Sequence, residues 1–157
     1  MTETNNQELT KNELLSKQLQ KLLKAQGTRM ELYTEFDIAF KDYLSGKCPA
    51  DQYHSICKIV TEGFQDVSQE IQTIEKEISD RVIAGIIRAL QQGEKERLEK
   101  TVKIQILTIQ AKESDKDFDS TIKELKDSLQ IVNEKNQDIW DELREEMHGV
   151  ASLILYL

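Results

Sequence analysis

The chain has 157 residues, of which 32% are charged and 6% aromatic, with six glycines, one proline and a formal charge of minus eight. That composition suits a single helical-bundle or coiled-coil domain, and two cysteines, Cys48 and Cys57, are too few for a disulfide framework and fit a reducing compartment. The acidic total argues against sequence-independent binding to a phosphate backbone. With no apolar run approaching roughly 18 residues and no basic-then-apolar leader, the expectation is a soluble, intracellular protein without a membrane span.

Residues 1–10 are polar and read as a disordered N-terminus. From about Lys11 to Leu44 a heptad seam runs through Leu15, Leu19, Leu22, Gln26, Arg29, Tyr33, Phe36, Phe40 and Tyr43, with steps of four and three that place one stripe of a helix against a partner. The middle of this seam is polar, so Gln26 and Arg29 either meet a polar partner or stand exposed, with Leu23 and Met30 as side contacts. Ser45-Gly46-Lys47-Cys48-Pro49 stops the helix, and so short a connection predicts an antiparallel neighbour.

The second helix is predicted to begin near Asp51, whose carboxylate can cap it, and to reach about Ser79. Its seam is the most regular in the chain: Tyr53, Cys57, Val60, Phe64, Val67, Ile71, Ile74 and Ile78. Burying such side chains contributes about 1.5–3 kcal/mol each, which only roughly offsets backbone ordering at about 1–2 kcal/mol per residue, so the helix needs a partner. No glycine or proline marks Ser79-Asp80, but the apolar stripe changes phase there and restarts at Ile83, Ile86, Ile87 and Leu90, which suits a break and a new helix rather than one long helix.

The third helix should run to about Lys112. Gly85 and Gly93 inside it each cost roughly 1 kcal/mol relative to Ala, a cost that a kink or the close approach of another helix would explain. After a loop or helix start at Glu113–Asp117, a fourth seam runs through Phe118, Ile122, Leu125, Leu129, Val132, Asn136, Ile139 and Leu143. Gly149 is expected to end this helix and leave 149–157 as a short apolar C-terminal tail. The fold class is therefore all-α: an elongated antiparallel helical bundle or coiled coil of about four helices, occupying residues 11–148.

Charge is unevenly distributed, at minus five over residues 1–80, plus four over 81–112 and minus seven over 113–157, so the basic third helix and the acidic fourth are expected to lie side by side. Arg81, Arg88, Lys95 and Lys103 fall within about 80° of one another on the third helix and form a basic stripe opposite its apolar side. This stripe is the candidate partner-binding surface, for an acidic protein or for nucleic acid; the simpler account is a solvated face, or pairing with the acidic fourth helix. Glu94 and Arg97 point toward the apolar side, and Asn136 interrupts the fourth seam. These three are candidates for a buried polar layer that fixes register. Cys48, His54 and Cys57 fall short of the four ligands a structural zinc needs, so no metal is expected. No phosphate loop, nucleophile elbow or paired zinc histidines are found, and neither an enzymatic activity nor a cofactor is expected.

Ile87-Arg-Ala-Leu-Gln-Gln-Gly-Glu-Lys-Glu-Arg-Leu98, preceded by the Tyr53, Val60, Phe64, Ile71 seam and by Phe36-x-x-x-Phe40-x-x-Tyr43-Leu44, resembles the REX1-B ("required for excision 1-B") family over roughly Leu19 to Thr108. Its most specific element is Arg-x-Leu-Gln-Gln-x-Glu-x-x-Arg-Leu at Arg88 to Leu98. The resemblance implies involvement in DNA excision repair without an assigned enzymatic chemistry, and with it a nuclear setting. The expected function is a non-catalytic helical adaptor acting through protein partners, with oligomerisation possible. The alternatives are a direct nucleic-acid binder using the basic stripe, and a coiled-coil assembly subunit unrelated to repair.

Overall fold

The computed structural model describes residues 2–156 and contains four helices, α1 (Thr2–Leu44), α2 (Ala50–Glu77), α3 (Arg81–Glu113) and α4 (Asp119–Tyr156). α1 stops because Gly46 takes φ 81°, a left-handed conformation open to glycine, and the Lys47 and Cys48 amides then donate to Asp42 O at 2.9 and 3.1 Å. The break expected from the change of phase is present. Ile78 closes α2, and Asp80 caps α3 by accepting from the amides of Val82 (3.0 Å) and Ile83 (3.1 Å). The third connection ends where Asp117 Oδ1 accepts from the Asp119 amide at 2.9 Å.

Each helix packs on its chain neighbours, and α4 returns to α1. The largest core cluster joins Leu19 and Leu22 of α1, Ile71 and Ile74 of α2, Ile87 and Leu90 of α3, and Leu143 and Val150 of α4. A second joins Tyr33 and Phe36 to Val60 and Phe64, with Leu98 and Val102 against them, and a third joins Ala39, Cys48 and Tyr53, with Ile109 alongside. Residue numbers rise together along α1 and α3 and fall along α2 and α4, giving an up-down-up-down bundle. Of the three apolar clusters, only the first draws on all four helices. Farther along, Ile122, Leu125 and Leu129 of α4 are half-buried and join none of the three. At that far end the Tyr43 and Tyr53 rings stack 4.6 Å apart, the Tyr53 hydroxyl donates to Gln105 Oε1 at 3.0 Å, and the Tyr43 hydroxyl donates to Glu113 Oε1 at 2.8 Å, tying three helices together.

Three boundaries differ from the sequence reading. Residues 2–10 are helical and continuous with α1, because nothing in that polar stretch breaks the ladder; Thr10 Oγ1 donates back to Asn6 O at 2.8 Å. Pro49, in an extended conformation, precedes α2 as its N-cap, so Asp51 lies in the first turn and accepts from its neighbour Gln52 at 2.9 Å. Gly149 does not end α4: the helix continues to Tyr156, because Val150 is buried in the main core and holds the next turn in place, so 149–156 is part of the bundle and not a tail.

Candidate partner-binding site

The polar middle of the α1 seam is buried and meets polar groups on α3. Gln26 Nε2 donates to Glu94 Oε1 at 3.3 Å, Arg29 Nη1 donates to Gln26 Oε1 at 2.8 Å, and Arg29 Nη2 donates to Gln91 Oε1. Gln91 in turn donates to Ser68 O on α2 at 3.1 Å, so one network crosses three helices. Arg97 lies 3.8 Å from Glu94 Oε1, and its guanidinium stacks over the Tyr33 ring at 4.0 Å from the centroid. Asn136 reaches the same level from α4 and packs on the backbone of Gly93, which has no side chain to keep it away. Glu94 Oε2 and both polar atoms of the Asn136 amide are buried without a partner.

Two buried or half-buried guanidinium groups thus face one carboxylate. Burial pulls the Arg29 pKa down, opposed by the Glu94 charge; burial pushes the Tyr33 phenol up, and Glu94 adds to that shift. Desolvation dominates both shifts, as expected where few charges are available to compensate.

The network also forms the floor of a cleft. Between α2 and α3 a groove of about 550 Å³ opens, with Tyr33, Phe64 and Leu98 as its apolar lining, Arg29, Gln91 and Glu94 at its base, and Lys76, Arg88 and Lys95 along its rims. A smaller opening of about 280 Å³ between α1, α3 and α4 exposes the other side of the polar layer, beside Asn136 and Trp140.

The four stripe residues separate into two pairs. Arg81 donates to Ile78 O and, at 3.4 Å, to Glu75 O, satisfying carbonyls that the end of α2 leaves free. Arg88 Nε donates to the Glu75 carboxylate at 2.8 Å, with Arg88 itself 83% exposed. Lys95 and Lys103 are exposed, with no ion-pair partner among the described residues. α3 and α4 do lie side by side, but among the described residues no ion pair joins them: the stripe turns toward α2. The sequence reading did not identify Ser68, Gln91 and Glu75 as members of the site. The only local signal was Gln91-Gln92, two amides in succession beside a core Leu90.

The family model for DNA repair REX1-B matches residues 17–108, from α1 to near the end of α3. The chain belongs to the REX1-B family. The whole α2–α3 groove and the α1 and α3 parts of the polar layer lie inside the matched segment, whereas Asn136 and α4 lie outside it. The chain is also similar to the heterochromatin silencing protein rss1 of Schizosaccharomyces pombe (strain 972 / ATCC 24843), with 28% identity over 127 residues that cover 81% of this chain and 95% of the relative. Among the described residues no helix is long and apolar enough to cross a membrane.

Proposed function

We propose that this protein is a non-catalytic helical adaptor that serves DNA repair and chromatin maintenance in the nucleus by binding other proteins. Family membership and the similarity to a heterochromatin silencing protein support the setting. The observation that carries the mechanism is the way the basic stripe is used. Arg81 and Arg88 hold α3 to the last turn of α2, which leaves Lys95 and Lys103 as the stripe's exposed cations without an ion-pair partner in a chain of charge minus eight. Even counting the terminal nitrogens of the exposed Arg88 with Lys95 and Lys103, three phosphate contacts correspond to a salt slope of only about minus three in log–log terms, too little for firm DNA binding near physiological salt. A groove with an apolar lining and charged rims is better matched to a protein surface.

The test is purification of the tagged full-length protein from cells with damaged chromatin, with the bound proteins identified and quantified, alongside a salt titration of DNA binding by the pure protein. The expected result is a reproducible set of protein partners and DNA binding that is lost near physiological ionic strength. A protein that purifies without partners yet holds DNA at that ionic strength would overturn the adaptor reading in favour of direct nucleic-acid binding.

A further inference from the structure

We infer that the groove between α2 and α3 seats an acidic amphipathic helix of the partner protein, with two carboxylates seven residues apart and an apolar anchor between them. This rests on the adaptor reading and names the site and the chemistry of its occupant. Along α2 the groove runs from Thr61 to Lys76, about 22 Å at 1.5 Å per residue, which is the length of a helix of about 15 residues. Its lining between the rims is mixed: Phe64 and Tyr33, in edge contact at 4.7 Å, and Leu98 supply the apolar surface, with Thr61, Ser68 and Gln72 as polar neighbours. A helix laid into such a groove buries one apolar stripe, as helix-in-groove ligands do.

The rims specify the charge of the occupant. Lys76, Arg88 and Lys95 face it, while the rim carboxylate, Glu75, is only 13% exposed and already engaged by Arg88. That engagement uses Nε of Arg88 and leaves its terminal nitrogens without a hydrogen-bond partner among the described residues, so a partner carboxylate can take them. Arg88 and Lys95 are two helical turns apart, roughly 10 Å, which matches acidic residues at i and i+7 on a partner helix packed along α3.

The experiment pans the full-length protein against a displayed library of amphipathic helical peptides of about 15 residues, with the polar positions randomised to Glu, Gln or Lys. Affinities of the enriched peptides are then measured by fluorescence anisotropy against the parent, Lys95→Glu, Gln65→Trp and the α4 control Lys135→Glu. Gln65 and Lys95 are exposed groove residues, so folding of the variants is checked by their unchanged melting curves. The expected outcome is enrichment of peptides with carboxylates at i and i+7, roughly tenfold weaker binding to Lys95→Glu and Gln65→Trp, and unchanged binding to Lys135→Glu. Enrichment of neutral or basic peptides, no enrichment, indifference to the two groove variants, or displacement of the peptide by a short DNA duplex would overturn it. Partner capture from cells by Lys95→Glu/Gln65→Trp at parental levels would refute the groove while leaving the adaptor reading in place. Loss of all partners from the parent itself would refute the adaptor reading.

Discussion

Replacing Gly93 by Ala tests whether Asn136 is held in place or free to move. A Cβ on Gly93 would lie 2.8 Å from Asn136 Cγ and 3.3 Å from its Nδ2, and closer still to Oδ1, in a site where Asn136 is only 5% exposed. Ala favours the helix by about 1 kcal/mol, whereas overpacking a tight interior costs about 1–3 kcal/mol, so the expected net loss is about 1 kcal/mol. For a chain of this size that lowers Tm by about 2–4 °C. In an Asn136→Ala background the obstacle is gone, and Gly93→Ala should then stabilise by its full helical preference of about 1 kcal/mol. The double-mutant cycle, measured by urea unfolding followed by circular dichroism, should therefore give a coupling of about 2 kcal/mol. If Gly93→Ala stabilised both backgrounds equally, Asn136 would be free to swing aside and would not anchor a register between α3 and α4.

Three further outcomes follow from local geometry. Gly85 has open space where a Cβ would stand, so Gly85→Ala should raise stability by about 1 kcal/mol, read from the same unfolding curves. Asp80→Ala removes the acceptor of two α3 amides and should cost about 1 kcal/mol, whereas Asp80→Asn should retain most of the parental stability. Burial raises the Tyr33 phenol pKa in the folded state, so its stabilising contribution is complete below the ordinary tyrosine value near 10 and declines as pH rises above it, where the unfolded chain ionises first. The unfolding midpoint of the parent should therefore fall more steeply above pH of about 10 than that of Tyr33→Phe, and parallel curves would show that Tyr33 is not the group responsible.

Much of this architecture is legible in the sequence because it is periodic. The seam from Tyr53 to Ile78 is buried at every position except the half-buried Cys57, and the change of phase after Ile78 marks the turn although no glycine or proline does. A glycine stops a helix only where no contact beyond it carries the helix onward, and at Gly149 the burial of Val150 in the main core, built largely from residues far away in sequence, supplies that contact. The polar residues Gln26 and Arg29 could be recognised as unusual, but Gln91 and Ser68 could be named as their partners only once the diagonal pairing of α1 with α3 was known. Of the groove, only Arg88 and Lys95 of the basic stripe were legible. The spacing of α2 from α3 is a packing outcome, and the residues on its two walls carry no periodic signature that distinguishes them from a solvated face.

The return of α4 to α1 has a consequence for how the chain is made. Leu22 and Leu143 are both fully buried in one core cluster yet lie near opposite ends of the polypeptide. With synthesis at about 5–20 residues per second, the apolar stripe of α1 emerges on the order of ten seconds before the helix that covers it. During that interval the nascent α1–α3 unit presents Leu19, Leu22, Ile87 and Leu90 without their α4 contacts, and the long loop must then close against its chain entropy. Ribosome stalling or premature termination before α4 would therefore release a three-helix fragment with that apolar surface uncovered.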